Sequence, residues 1–226
     1  MAIRAKALAF DFYGTLADLG SVNAACRHAV ADADAFGAEW RRKQLEYTFL
    51  MSLMGRYRDF LQVSERALDF TLARFGLSLE ASERRRLMQA WSEPAAYPEV
   101  SGALAALGAK YTLAVLSNGS PRMLETGLKH AGLRSRFKFV LSADAAKIYK
   151  PSPRVYQLAV ARMRLAKSQI LFVSSNGWDV AGAKSFGFKV CHLKRWDAPA
   201  EQLGFKADLE AGDLAGLAEA LGATSN

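Results

Sequence analysis

Five short runs rich in Val, Leu, Ile and Phe, at Lys6–Phe12, Tyr111–Leu116, Phe137–Leu141, Ile170–Val173 and Phe188–Leu193, set the strongest limit on how this chain folds. A strand with one face in water alternates apolar and polar residues, whereas a strand buried on both faces reads as a near-continuous apolar run. From Ser101 onward, helical stretches separate the runs. Such alternation predicts a parallel sheet with right-handed crossovers, a doubly wound α/β core. At 226 residues, 51% of them hydrophobic, the chain is long and apolar enough to bury that core, which excludes a disordered protein.

The alternation fails after the first run. From Ser21 to about Glu93 the pattern is helical, with Phe49, Leu50, Leu53, Tyr57, Phe60 and Leu61 recurring at spacings of three and four, as do Leu68, Leu72 and Phe75. The insert is expected to be an all-helical cap, and Pro94 and Pro98 mark the return to the core. This divides the chain into a core domain of residues 1–16 and 95–226 and a cap domain of residues 17–94.

Several classes of function are set aside by what the chain lacks. The opening Met1-Ala2-Ile3-Arg4-Ala5-Lys6 leads into an apolar stretch that Asp11 interrupts, too short for a secretory signal. No uncharged run approaches the roughly 20 apolar residues of a membrane span, so no membrane partner is expected and the expected location is cytoplasmic. Cys26 and Cys191 have neither metal-ligand nor disulfide-scaffold spacing, and His28, His130 and His192 are equally scattered. The net charge of +8 suits an anion, yet the basic residues are dispersed and the densest cluster, Arg84-Arg85-Arg86, reads as a solvated helix face. No nucleic-acid partner is expected; attraction of a small carboxylate fits the same excess.

In an open parallel sheet, ligands bind outside the carboxyl ends of the strands, so polar residues just past each run are the ones to weigh. Asp11 stands at the end of the first run with Thr15 just beyond it, and Ser117-Asn118-Gly119 follows the second. Lys150-Pro151 lies beyond the third, and Ser174-Ser175-Asn176-Gly177-Trp178-Asp179 follows the fourth. Singly, each is explained as a turn or helix cap, because Asp, Asn, Ser and Gly are the usual residues there. Together, a lysine among carboxylates and hydroxyls is what an anionic nucleophile requires. Asp11 is the candidate nucleophile.

These four groups match, in order, the four short motifs of the haloacid dehalogenase superfamily, which the chain resembles over nearly its whole length. The cap segment Trp40-Arg41-Arg42-Lys43-Gln44-Leu45-Glu46-Tyr47-Thr48, then Ser52-Leu53-Met54-Gly55-Arg56-Tyr57, and the string Ser174-Ser175-Asn176 before Trp178-Asp179 narrow the resemblance to the L-2-haloacid dehalogenases. Phosphatases of the superfamily carry a second Asp two residues after the nucleophile, which protonates the leaving alcohol and helps frame a Mg²⁺ site. Here that position is Tyr13. A halide leaves without a proton, so the site is read as metal-free and without a cofactor.

What the resemblance implies is a two-step hydrolysis of a small 2-haloacid, with inversion, through an ester on Asp11, releasing halide ion. Lys150 then holds Asp11 ionised and oriented, Thr15 and Ser174 hydrogen-bond around it, and Asp179 with Asn176 manages the hydrolytic water. Arg41, Asn118 and Trp178 receive the halide. The substrate carboxylate falls to Ser117 and to the backbone N–H groups of Phe12 and Tyr13, and the apolar wall to Tyr13, Leu45, Phe60 and Trp178. Either Arg41 or Arg42 can point into the cleft, and alignment of Trp40-Arg41 with the family favours Arg41. A homodimer is expected on the same ground. Two other readings stand beside this one: a Mg²⁺-dependent phosphatase of the same fold, and a non-catalytic anion-binding protein.

Overall fold

The computed structural model describes residues 4–223; residues 1–3 and 224–226, assigned above to the core, lie outside the described residues. β1 (Ala7–Phe10), β2 (Thr112–Ser117), β3 (Phe139–Ser142), β4 (Ile170–Ser174), β5 (Lys189–Leu193) and β6 (Leu209–Ala211) form one parallel sheet in the order β3-β2-β1-β4-β5-β6. β1 lies at its centre, fully buried, with Ala7–Phe10 in register with Thr112–Val115 on one side and Ile170–Val173 on the other. The chain builds outward from β1 in one direction through β2 and β3, then in the other through β4 to β6. At such a reversal the flanking connections part and leave a crevice at the carboxyl ends of the two strands. That crevice falls between Asp11 and Ser174.

The expected α/β core is therefore present, with two differences. The first strand stops at Phe10 rather than Phe12, because the chain turns back on itself: the N–H groups of Thr15, Leu16 and Ala17 all donate to the Phe12 carbonyl. Gly14, at φ 82°, supplies the left-handed backbone this turn needs. β6 had no counterpart among the apolar runs. It is a three-residue edge strand, Leu209-Glu210-Ala211, with none of its residues buried, so it lacks the apolar continuity of a central strand.

Between β1 and α5 (Val100–Gly108) the inserted cap is α1 (Leu19–Cys26), α2 (Ala33–Leu53), α3 (Phe60–Phe75) and α4 (Ala81–Ser92). Side chains of Asp18, Asp32 and Asp59 accept the first free N–H groups of α1, α2 and α3, and Gly76, at φ 64°, closes α3. The apolar period through Phe49, Leu50, Leu53, Tyr57 and Phe60 does not run along one helix. α2 ends at Leu53, Gly55 turns the chain, and Tyr57 sits in the connection to α3 with its hydroxyl on Asp144 Oδ1, 3.1 Å away. Leu50 and Leu53, two members of that period, are exposed.

The cap core is aromatic: Phe36, Trp40, Phe60 and Trp91 are buried, each stabilising the fold by about 1.5–3 kcal/mol through removal from water. The outgoing and returning segments pair where they leave the sheet, Asp18 N–H donating to the Ala95 carbonyl at 2.7 Å and Tyr97 N–H to the Leu16 carbonyl at 3.1 Å. The remaining helices, α6 (Pro121–His130), α7 (Pro153–Met163), α8 (Gly177–Phe186) and α9 (Leu214–Ala220), pack with α5 on the sheet. Ser120 caps α6 with Pro121 as its first helical residue.

Candidate active site

Asp11 leaves β1 with its N–H on the Val173 carbonyl at 2.9 Å, which aims its side chain into the crevice beside β4. Lys150 Nζ donates to Asp11 Oδ1 at 3.1 Å and to Asp179 Oδ2 at 2.8 Å, and the lysine side chain is wholly buried. Its ammonium also lies 4.8 Å from the centre of the Phe172 ring. Asp11 Oδ2 accepts from Asn176 Nδ2 at 2.8 Å and from the Thr15 hydroxyl at 3.3 Å. Asp179 accepts the Tyr156 hydroxyl at 2.6 Å on Oδ1 and the Ser174 hydroxyl at 3.3 Å on Oδ2. A buried charge is tolerable only when so paired.

The surrounding backbone shows why these side chains meet. Lys150 N–H donates to Asn118 Oδ1 at 3.0 Å, which ties the loop beyond β3 to the loop after β2. Asn176 occupies the N-cap of α8 but makes no side-chain cap bond, because its carboxamide is held by Asp11 and by the Tyr13 carbonyl at 3.0 Å. A residue that gives up capping for another residue's carboxylate is serving the site. Asp179 is in the first turn of α8, where a carboxylate also suits the helix dipole.

Burial pushes Asp179 up to about 6, with the Asp11 carboxylate adding to the shift and Lys150 and Tyr156 opposing it. The folded protein therefore retains a proton at pH values where the unfolded chain has lost it, and stability falls as pH rises from 3.8 to about 6. If ionised Asp179 takes the proton of the attacking water, ester hydrolysis is expected to rise with pH through about 6 and level off above it. Single-turnover rates between about pH 4 and about pH 8, roughly two units either side of that midpoint, read this limb, and Asp179→Asn should remove it.

On the cap side, α2 presents Arg41 to a cavity of about 320 Å³ whose lining includes Leu45, Asn176 and Trp178. One Arg41 nitrogen donates to Gln44 Oε1 at 2.6 Å, and its guanidinium carbon lies 5.4 Å from the Trp91 ring centre. Burial pulls Arg41 down to about 10, opposed by Asp11 and then Tyr13, so the group stays cationic at neutral pH. Arg42 is exposed and paired with Glu39 and Glu46. Of the two arginines, Arg41 is the one facing the cleft.

Tyr13 is buried, stacked on Phe60 at 5.5 Å, with its hydroxyl donating to the Trp91 carbonyl at 3.1 Å. Burial raises its phenol far above the ordinary value. The N–H groups of Phe12 and Tyr13 have no hydrogen-bond partner among the described residues, nor does the buried indole N–H of Trp178. Unclaimed buried donors near a cavity are a mark of anion binding. Ser117, at the end of β2, is also buried, its Oγ accepting from Gly119 N–H at 3.3 Å.

With this geometry in view, the chain matches the haloacid dehalogenase-like hydrolase family over residues 5–187. The chain belongs to that family. It is 44% identical over 216 residues to the (S)-2-haloacid dehalogenase of Pseudomonas sp. (strain YL), covering 95% of this chain and 93% of the relative. The L-2-haloacid dehalogenase of Xanthobacter autotrophicus with chloropropionic acid covalently bound has a similar structure, at a TM-score of 0.90 and 36% identity, covering 98% of this chain and all of that one. A crystal structure of a dehalogenase superposes at a TM-score of 0.94 with 37% identity, covering both chains completely.

Within this haloacid dehalogenase-like frame, the residues do not fit a Mg²⁺ site. The position of the second phosphatase Asp is the buried Tyr13, and all four oxygens of Asp11 and Asp179 accept from Lys150, Asn176, Thr15, Ser174 or Tyr156. Among the described residues, no three His, Cys, Asp or Glu side chains are grouped to hold a metal ion.

Two placements differ from what the resemblance implied. Ser174 bonds Asp179 rather than Asp11, and Asn176 bonds Asp11 directly. Four contributors to the site were not singled out in the sequence. Ser175 bonds the Thr15 hydroxyl through its N–H at 3.0 Å and the Gly14 carbonyl through its Oγ at 2.5 Å, and its place inside the fourth motif was the available signal. Gln44 on α2 had its place inside the quoted cap segment, whereas Tyr156 on α7 and Trp91 on α4 carried no signal that separates them from ordinary helix residues.

Proposed function

We propose that the protein hydrolyses small L-2-haloacids to the corresponding 2-hydroxy acids, with Asp11 as nucleophile. The observation that carries this reading is the buried Asp11, held by Lys150, Asn176 and Thr15, with Asn176 also lining a cavity into which α2 brings Arg41. Oδ2 takes two hydrogen bonds and Oδ1 one, which leaves Oδ1 the freer to attack C2. The C2–halogen bond breaks as the Asp11–C2 bond forms, and the halide leaves toward Arg41, Asn118 and Trp178. The substrate carboxylate is held by Ser117 and the free N–H groups of Phe12 and Tyr13. Tyr13, Leu45, Phe60 and Trp178 exclude bulk water, which strengthens each of these electrostatic contacts.

Water then attacks the ester carbonyl carbon, its proton passing to Asp179. The donors on Oδ2, Thr15 and Asn176, stabilise the charge that develops there. The tetrahedral intermediate collapses as the departing alkoxide oxygen takes that proton back from Asp179, the 2-hydroxy acid leaves, and Asp11, now with one oxygen from water, releases its remaining proton to solvent and is restored as the carboxylate. No step calls for a metal, in keeping with the unsuited donor set. The decisive comparison is assay of the purified protein in EDTA against L-2-chloropropionate and a generic phosphate ester. Chloride release at an undiminished rate is expected. Magnesium-dependent phosphate release would overturn the reading in favour of a phosphatase, and binding of the haloacid without halide release would favour an anion-binding protein.

The reading extends to assembly and place. Leu50, Leu53 and Met54, exposed at the end of α2, are an apolar face suited to a second copy, and a homodimer is the expected state by light scattering. Cys26 and Cys191, both free and buried, fit a cytoplasmic protein. Among the described residues no helix is long and apolar enough to cross a membrane. The paired segments at Leu16–Asp18 and Ala95–Tyr97 support a domain boundary there, with residues 1–16 and 95–226 as core and 17–94 as cap.

A further inference from the structure

The loop carrying Asp11 and Thr15 is held by a residue that takes no part in the chemistry described above, although it lines the same cavity as Arg41. Arg195 lies two residues beyond β5, with its side chain 5% exposed. Its Nε donates to the Thr15 carbonyl at 2.9 Å, and a terminal nitrogen pairs with Glu99 Oε1 at 2.7 Å. The guanidinium carbon sits 3.7 Å from the centre of the Tyr97 ring. Among the described residues no other donor reaches the Thr15 carbonyl. Tyr97 and Glu99 belong to the segment returning from the cap, and Tyr97 N–H is itself bonded to Leu16 in the nucleophile loop. One buried guanidinium thus joins the end of β5, the nucleophile loop and the cap's return. Two directed donors plus a stacking face are what arginine supplies and lysine does not.

We propose that Arg195 is a positioning residue for the nucleophile: by holding the Thr15 carbonyl it fixes the Thr15 hydroxyl on Asp11 and so sets the line of attack. The inference rests on the reading of Asp11 as nucleophile. Thr15 is the link, because its carbonyl meets Arg195 while its hydroxyl meets Asp11 Oδ2. Misplacement of a reacting group by about 1 Å can cost about a hundredfold in rate, so loosening one anchor of the loop is expected to cost about tenfold.

The test is a double-mutant cycle of Arg195→Gln and Thr15→Ala, read as the single-turnover rate of halide release at saturating L-2-bromopropionate, with KM measured alongside. Arg195→Gln is expected to lower the rate about tenfold with KM changed by less than about twofold, and Arg195→Lys to recover only part of the loss. In the Thr15→Ala background the same change should cost less than about twofold, because the link is already cut. A scaffold role alone would give equal losses in both backgrounds, and that result, or an unchanged rate in Arg195→Gln, overturns the assignment. If Arg195→Gln does not fold, Arg195→Lys takes its place in the cycle. Absence of halide release by the wild-type protein would remove the Asp11 reading and this one with it, whereas equal losses in an active enzyme overturn only the role of Arg195.

Discussion

Asp11→Asn is expected to reduce halide release by a factor on the order of 10⁴ or more while leaving the fold nearly intact. The carboxamide has the shape of the carboxylate, and its oxygen can still accept from Asn176 and Thr15. What it lacks is the anionic oxygen at the Lys150 side, and no other group in the crevice can take over the attack. Among the described residues Asp179 is the one other carboxylate on Lys150, and its oxygens are held by Tyr156, Ser174 and the same ammonium. Lys150 keeps its bond to Asp179 in the variant, so the buried cation is not left alone. A thermal melt within a few degrees of the wild type, with chloride release at background, is the expected pair of results. Measurable turnover in this variant would mean that water attacks C2 directly.

Lys150→Met is expected to damage both properties, which separates it from the first variant. Its removal leaves Asp11 and Asp179 buried together without the cation they share, and breaking a buried ion pair from one side typically costs 3–5 kcal/mol, so about that loss is expected here. In a chain of this size that is a fall of roughly 6–20 °C in melting temperature, at about 2–4 °C per kcal/mol. The loss should depend on pH with a definite sign. Asp179 already titrates at about 6 with Lys150 in place, and without the ammonium its charged form is disfavoured further. The folded variant therefore binds a proton that the unfolded chain releases, so its stability relative to wild type recovers as pH falls and worsens as pH rises. Melting curves of both proteins at several pH values check this, and a pH-independent difference would argue that Lys150 acts through packing alone. Halide release should fall by at least about a hundredfold, since the nucleophile loses both its charge partner and its orientation.

The parts of this molecule that could be read from sequence are those where one physical demand acts on contiguous residues. Burial on both faces wrote β1, β2, β4 and β5 as apolar runs, and helix capping marked the start of α6 at Ser120. β6 escaped because an exposed edge strand of three residues answers to no such demand. The break at Tyr57 was hidden because residues at the end of α2 and the start of α3 continue the spacing of a single helix by coincidence, and only the positive φ of Gly55 betrays the turn.

The site divides the same way. Asp11, Thr15, Asn118, Lys150, Asn176 and Asp179 follow strand ends, where topology gathers them whatever lies between. Tyr156 and Gln44 belong to helices, and their partners, Asp179 and Arg41, are set by helix rotation that no short motif records. The choice between Arg41 and Arg42 shows the limit well. Adjacent residues on a helix point about 100° apart, so one faces the cleft and the other water, and packing of α2 on α3 decides which.

The central claim is that Asp11 forms and loses an ester in every turnover. It is tested most directly by running the reaction in ¹⁸O-water and measuring, by mass spectrometry, the peptide that contains Asp11. Over many turnovers the Asp11 carboxylate is expected to become labelled, while in a single turnover with enzyme in excess the 2-hydroxy acid carries unlabelled oxygen taken from Asp11. An unlabelled Asp11 after many turnovers, with label entering the product in the first one, would contradict the covalent route.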